Sequence, residues 1–454
     1  MANRDDAARS TALSILCSFD LDKSSLSPLF DNATANLNPQ DRRFVRQLVN
    51  GVLKWRKRID WTVNHFTKKP FHSLPNDVSN AIRLGLYQLL WLDRVPPRAA
   101  VHTTVELVKK RGKLKLAGVV NAVLRRASTE ATALKLPDRL IDPVGFLSLA
   151  HSHPEWMVQR WLERWGNEAT EKLLESNNRP PKLFVRFDEK FVSTAGIPKE
   201  FSATIEPPSE KDTVLAPCLE GSFVANNTEG LFSSSAFVDG FFWVQDVNAG
   251  IPVMLLGAKP NERILDACCA PGGKTVQIAM AMDRCGQIVA ADSSPARLDM
   301  LRTTCQRMQL DCVEILSHDA RVPAFRLGFD LEPFDRVLVD VPCSSTGAFA
   351  RLPEARWRRR PSDLISYTSR QLDILKASYK ALKPGGILVY STCSLEPEEN
   401  EHVVDTFLSQ TMCATLEPAC DFLSANWANN YVQTLPGRDV GDGSFAARIR
   451  KNLT

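Results

Sequence analysis

Two regimes of hydrophobic spacing divide the chain. Up to about residue 130, apolar positions recur at three- and four-residue intervals, the period of a helix with one buried face. Ala7 to Leu16 starts one such helix. Asn38-Pro-Gln-Asp41 caps a second, which runs through Phe44, Leu48 and Val52. Val78 to Leu92 predicts a third, with Ile82, Leu86, Leu89 and Leu90 on one face. Pro96-Pro97 breaks the chain before helices over Ala99–Lys110 and Leu116–Arg126. Residues 1–130 therefore read as an all-α bundle. Residues 131–150, with Pro137 and Pro143, read as a linker, and 151–240 as a small α+β subdomain that guides substrate. In the latter an amphipathic helix from His153 to Trp165 is expected to use Trp156, Trp161 and Trp165 for packing. A strand over Leu183–Arg186 follows, with turns at Pro207-Pro208 and Glu220-Gly221.

From 241 to 454 the pattern changes to short apolar runs alternating with helical stretches, which predicts an α/β domain with a parallel sheet. Ile264–Asp266 is a buried strand, Pro271-Gly272-Gly273 a tight turn, and Lys274–Ala281 a helix. Gln287–Ala291 is a second strand ending on Asp292. A helix over Ser294–Met308 and a strand over Val313–Leu316 follow, with Asp319 just beyond. Phe334–Asp340 is a fourth strand. A helix over Ser369–Leu382, the segment Lys383-Pro-Gly-Gly386 and a strand over Ile387–Ser391 complete the series.

Strand, glycine turn and helix present backbone N–H groups to a nucleotide-like ligand. The spacing matches neither the dinucleotide fingerprint nor the phosphate-cradling loop. An acid some twenty residues after the turn suits a ribose diol, so the turn, Asp292 and Asp319 together suit an adenosine without phosphates. Asp292 also reads as a cap for the segment opening at Ser293.

Composition adds three constraints. No apolar run is long enough to span a bilayer, and Met-Ala-Asn-Arg-Asp-Asp does not begin a signal peptide, so a cytoplasmic protein without membrane partners is expected. Eleven cysteines, an odd count without a C-x-x-C pair, predict reduced thiols and no metal. The net charge of +4 conceals a basic first third, where residues 1–130 hold 22 Lys+Arg against 11 Asp+Glu. Clusters at Lys54–Arg58, Lys109–Lys115 and Arg125–Arg126 point to a polyanionic partner.

Two thiols stand apart from the rest. Cys343 follows the strand ending at Asp340, and Cys393 follows the strand ending at Ser391. If those strands are sheet neighbours, about 4.8 Å apart, both thiols overlook the ligand crevice. The acidic segment Glu396-Pro-Glu-Glu399 then starts a helix.

The N-terminal third resembles the NusB domain, through Asp41-Arg42 leading to Gly51-Val-Leu, Gly85-Leu-Tyr-Gln-Leu89, Pro96-Pro97 with Ala99-Ala100-Val101, and Val120–Arg126. The remainder resembles the RNA (cytosine-5) methyltransferases. The motifs are Asp266-Ala-Cys-Cys-Ala-Pro-Gly-Gly-Lys-Thr275, Asp340-Val-Pro-Cys-Ser-Ser-Thr-Gly347, Arg351-Leu-Pro-Glu-Ala-Arg-Trp357, Tyr390-Ser-Thr-Cys-Ser394 with Pro397-Glu-Glu-Asn400, Pro436-Gly-Arg-Asp439 and Asp442–Arg448. The combination is similar to the RsmB (Sun) type of bacterial 16S ribosomal RNA methyltransferase.

That resemblance implies a Rossmann-like α/β domain dependent on S-adenosylmethionine, preceded by the all-α NusB-like bundle and a small α+β RNA-binding subdomain. The cofactor would lie against Cys268, Cys269, Ala270, Pro271, Gly272, Gly273 and Lys274. Its ribose would be on Asp292, its adenine near Asp319, and Asp340 would stand close to the sulfonium and the base. Cys393 carries over as nucleophile and Cys343 as the residue that helps release product. Arg351, Arg356, Arg358, Arg359 and Arg360 are expected to hold the RNA backbone. The expected partner is RNA, 16S rRNA or a small-subunit precursor, and the chain is expected to be a monomer. Three departures stand out: Cys269 in place of a smaller residue, Arg186-Phe-Asp188 in place of Arg-Val-Asn, and Leu352 where a basic residue is common. A DNA-type enzyme using Cys343 as nucleophile and a non-catalytic RNA-binding factor are the rival readings.

Overall fold

The computed structural model of the 454-residue chain describes residues 4–21, 26–68, 70–188, 205–206, 221–225, 230–323 and 332–453. They divide into two compact units. One holds the chain up to Asn178 together with Arg356–Arg358; the other holds Arg179–Ala355 and Arg359–Thr454.

The first unit is all helical: α1 (Arg4–Leu21), α2 (Leu26–Thr34), α3 (Pro39–Phe66), α4 (Asn76–Trp91), α5 (Pro97–Lys110), α6 (Leu114–Glu130), α7 (Pro143–Ala150) and α8 (Glu155–Asn178). The predicted cap of α3 forms as the sequence requires, with Asn38 Oδ1 accepting from Asp41 N at 2.9 Å and Pro39 in the first turn. Leu13, Leu48, Val52, Ile82, Leu86 and Leu124 are buried in one core. At Gly51 a Cβ would lie 1.9 Å from the tip of the Tyr87 ring, so the glycine makes room for that ring against α3. Within the expected linker lies α7, and α7 and α8 pack on α3. The boundary between the two compact units falls after Asn178. The reason is the apolar face of α8, where Met157, Val158 and Trp161 are buried. Trp161 packs, as expected.

The second unit begins with a small antiparallel sheet, β1 (Phe184–Phe187), β2 (Ile205–Glu206), β3 (Ser222–Ala225) and β4 (Phe242–Val244), in the order β2-β3-β1-β4. The turn expected at Pro207-Pro208 lies outside the described residues. Phe187 is buried with Phe223 and Phe242, and Asp188 accepts from Arg284 at 2.7 Å, so this pair of departures from the family pattern serves packing and an ion pair.

The large sheet holds β5 (Arg263–Asp266), β6 (Gln287–Asp292), β7 (Val313–Ser317), β8 (Phe334–Asp340), β9 (Leu382–Thr392), β10 (Ala414–Glu417) and β12 (Ser444–Lys451), with β11 (Val432–Thr434) on β12. β7-β6-β5-β8-β9 run parallel; β12 lies antiparallel beside β9, and β10 beside β12. The chain starts in the middle at β5, moves outward to β7, then returns to β8 on the other side. The crevice at this reversal, past the C-terminal ends of β5 and β8, is where such sheets bind ligands. Lys383-Pro-Gly-Gly386 lies inside β9: the register steps from Phe334↔Leu382 to Arg336↔Ile387, with Gly385 at φ 78° absorbing the bulge. The helix before β9 begins at Asp363, earlier than the apolar pattern suggested. Among the described residues no helix is long and apolar enough to cross a membrane.

Candidate active site

β8 and β9 are parallel neighbours whose register pairs Asp340 with Ser391. The loops that leave them are therefore side by side, and Cys343 Sγ and Cys393 Sγ are 3.4 Å apart. Backbone bonds stitch the loops together: Val341 N donates to Ser391 O at 3.0 Å and Gly347 N to Cys393 O at 2.9 Å. Leu395 N donates to Thr346 Oγ1 at 2.8 Å. Gly443 N reaches Gly347 O at 2.8 Å, closing a third loop onto the pair. A Cβ at Gly347 would lie 2.8 Å from both Cys393 O and Gly443 Cα, so both glycines are required by contact.

The thiols differ in surroundings. Cys343 is buried and Cys393 is half-buried. The hydrogen-bond contact with Cys343 holds the Cys393 thiol below its ordinary value. The same bond, together with burial and the Glu399 carboxylate, pushes Cys343 well up. Two cations, Lys274 and Arg351, act on Cys393 and have their own protonated forms favoured by it. Cys393 thus has the Asp340 and Asp442 carboxylates as well as the two cations around it, and the contact with Cys343, the largest influence on it, is what lowers it and makes it the thiolate of the pair. Arg351 is also bound by Asp442 and lies 3.6 Å from Asp246. Burial beside Asp246 pushes Asp442 up to about 7.

The cofactor-type loop has the expected geometry. Ala267 N donates to Leu338 O and Cys269 N to Ala291 O, both at 2.9 Å, so the loop after β5 is tied to β8 and β6. Gly272 adopts φ 115° and packs on Leu301, where a Cβ would come within 2.5 Å. The helix Gly273–Ala281 follows, with its N-terminus at this loop. Burial and Asp266 push the Cys268 and Cys269 thiols far above the ordinary range, which leaves them inert.

Acids ring the loop. Lys274 Nζ donates to Asp340 Oδ2 at 2.7 Å, and Ser391 Oγ to Asp340 Oδ1 at 2.7 Å. Asp292 is buried and accepts from Ser294 N at 2.9 Å and Ala270 N at 3.4 Å, so it ties the turn before the next helix to the loop after β5 and walls the crevice. Asp319, farther out, is held down at about 2 by its bond to Arg321. Asp266 is fully buried; burial pushes it up to about 7, and its Oδ1 has no hydrogen-bond partner among the described residues.

The arginines expected on RNA divide. Arg356 is fully buried in the first unit, donating to Lys54 O at 3.0 Å, Ser152 O at 3.0 Å and Asn178 Oδ1 at 2.9 Å. A side chain enclosed in this way presents nothing to a phosphate, and the expectation for Arg356 is corrected accordingly. Arg358 stacks on Phe19 and donates to Phe19 O at 3.1 Å, also a packing role. Arg359 donates to Ser344 O at 2.9 Å, bracing the Cys343 loop. Arg351 is the acid-bound residue described above, and Arg360 is exposed.

The sequence reading overlooked Glu399, taking it for part of an acidic helix start. It is fully buried. Its carboxylate accepts from Ser344 N at 2.8 Å, Gln371 Nε2 at 2.9 Å and Ser394 Oγ at 2.5 Å, and from Ser344 Oγ. The available signal was the serine directly after each cysteine.

Residues 253–450 match the model of the 16S rRNA methyltransferase RsmB/F family, residues 6–129 that of the NusB family, and residues 153–203 that of an RsmF/B-like methyltransferase, ferredoxin-like domain. The chain is 34% identical to a probable ribosomal RNA small subunit methyltransferase B of Synechocystis, over 91% of this chain and 92% of that one. It is 31% identical to the ribosomal RNA small subunit methyltransferase B of Klebsiella pneumoniae, over 94% of each. A solved methyltransferase homologue from Pyrococcus horikoshii superposes with a TM-score of 0.56 at 26% identity, covering 67% of this chain and 97% of that one.

Proposed function

The chain belongs to the RsmB/F family of 16S rRNA methyltransferases, and from that premise we propose that it transfers a methyl group from S-adenosylmethionine to carbon 5 of a cytosine in small-subunit ribosomal RNA, through a covalent adduct of Cys393 at carbon 6. The observation that carries this reading is the pair of thiols 3.4 Å apart at adjoining strand ends, with Cys393 held below and Cys343 pushed above the ordinary thiol value.

The crevice residues fit the cofactor. Carboxylates at the ends of β5, β6 and β8 suit a ligand bearing a cationic sulfonium, an ammonium and a ribose diol, and Asp266 keeps one buried oxygen unengaged. Cys268–Lys274 would hold it, with Asp292 and Asp319 toward the nucleoside and Asp340 toward the sulfonium. When bound, S-adenosylmethionine supplies a methyl group on positively charged sulfur.

Carbon 5 of cytosine is a weak nucleophile until carbon 6 is attacked. The Cys393 thiolate forms the S–C6 bond, and the displaced electron pair crosses the ring to carbon 5 and the N3 side. Asp340, held by Lys274 and Ser391, holds a proton at the ring nitrogen and stabilises the enamine. After carbon 5 gains the methyl group, its proton leaves to a water that the Cys343 thiol positions, and from there to solvent. The electron pair of that C–H bond restores the 5,6 double bond and expels the Cys393 thiolate. The base must leave its stack to reach these groups.

The test uses Cys393→Ala and Cys343→Ala proteins with labelled cofactor and 16S rRNA or small-subunit particles. Cys393→Ala is expected to be inactive and to trap no RNA. Cys343→Ala is expected to accumulate a covalent protein–RNA adduct, because attack proceeds and release stalls. The opposite pattern reverses the two roles, and methylation by both variants removes the thiol mechanism.

A further inference from the structure

Glu399 belongs to a part of the site that the methyl-transfer scheme leaves without a role. A buried carboxylate is costly unless its lone pairs are engaged. Four donors reach this one, which matches the acceptor capacity of an ionised carboxylate. They come from three separate elements: Ser344 from the loop after β8, Ser394 from the loop after β9, and Gln371 from the helix Asp363–Lys380. Gln371 also donates to Pro342 O at 3.1 Å, on the residue before Cys343. The turn carrying Glu399 is itself anchored, since Tyr390 Oη donates to Glu399 O at 2.6 Å and Thr368 Oγ1 to Glu398 O at 3.0 Å.

We propose that Glu399 is a positioning residue for the reaction, clamping the Cys343 and Cys393 loops in the one register that lets the two thiols divide attack from release. This rests on the assignment of Cys393 as nucleophile. Ser344 and Ser394 are the direct chain neighbours of the two cysteines, so a shift of the carboxylate shifts both sulfurs. Catalytic constellations tolerate only about 0.5 Å of such movement. The carboxylate also acts on Cys343, where its charge favours the protonated thiol.

The test compares the wild-type protein with Glu399→Gln and Glu399→Asp. Each is labelled briefly with iodoacetamide at pH 7, and the Cys393:Cys343 labelling ratio is read by peptide mass spectrometry beside kcat and the RNA KM. In the wild type Cys393 should be labelled several-fold more than Cys343, because Cys393 is the more exposed and lowered thiol of the two. Glu399→Gln removes the charge and loosens the clamp, and the ratio should fall while kcat drops about tenfold or more and KM stays within about twofold. Glu399→Asp keeps the charge but withdraws the clamp by one methylene, so it should keep the labelling preference and still lose kcat. An unchanged ratio with kcat within about twofold in Glu399→Gln overturns the proposal, as does a loss confined to the melting temperature. If Glu399→Gln is insoluble, Ser344→Ala removes one arm of the clamp and is judged by the same ratio. Labelling of the free protein does not depend on RNA, so failure here is distinct from methylation surviving in Cys393→Ala, which would sink the nucleophile assignment itself.

Discussion

The reacting groups are set apart from their neighbours by charge and burial. Four cysteines crowd the crevice, yet Cys268 and Cys269 are pushed far up by burial and Asp266, and only Cys393 is held down. Iodoacetamide should accordingly spare Cys268 and Cys269 in the folded protein at pH 7. Asp266 gives a second prediction at this scale. Its folded-state value is raised to about 7 from an ordinary 3.8. Between those values the unfolded chain has released a proton that the folded one keeps, so this group makes stability fall as pH rises through the window. Asp266→Asn should flatten the cofactor-free melting temperature between about pH 4 and 7; an unaltered slope would contradict the burial argument. The cysteine pair was legible in the sequence because both lie just beyond a strand that ends in a polar residue. Glu399 was not, because a run of acids before a helix has the same composition whether it caps a helix or is drawn inward by two serines. Arg356 was misplaced for a related reason: five arginines within ten residues look like a phosphate-binding run, and only the fold shows one of them enclosed by carbonyl oxygens.

At the level of elements, glycines set the spacing. Gly347 and Gly443 bring three loops into backbone contact around Cys393, and adding a methyl group to either leaves no room. Gly347→Ala should cost about 1–3 kcal/mol of stability and, by moving the Cys393 carbonyl, reduce kcat more than the loss of stability explains; chemical denaturation beside single-turnover methylation separates the two. Strand and helix positions in the α/β half were legible to within a residue or two for β5, β6, β7 and β8, because strand length, glycine turns and terminal acids all agree there. The bulge in β9 was not, since Pro-Gly-Gly has the same signature in a turn and in a strand that swells around it. The placement of α8 also escaped the periodicity, which shows that a face is buried but not against what.

Across the molecule, basic residues differ in what they can offer a polyanion. Of the three N-terminal clusters, Lys54 is buried, with burial and Arg356 lowering it to about 8, and Arg56 and Lys57 pair with Asp20 and Glu155. Lys109, Lys110, Arg111, Lys115, Arg125 and Arg126 are exposed. The salt dependence of RNA binding should therefore lose about one unit of slope per contact in Lys115→Ala or Arg125→Ala. Arg356→Ala should keep the slope and instead destabilise the helical unit by at least about 2 kcal/mol, through the carbonyl groups left without a donor. A reduced slope in Arg356→Ala would return it to the RNA surface. The central claim is that sulfur 393 bonds to the pyrimidine. Its most direct measurement uses wild-type protein, S-adenosylmethionine and substrate RNA carrying 5-fluorocytosine, which has no proton to lose at carbon 5, followed by mass spectrometry of the cross-linked peptide. The account predicts a methylated base joined to the peptide containing Cys393; a base joined to Cys343, or methylation with no covalent link, would contradict it.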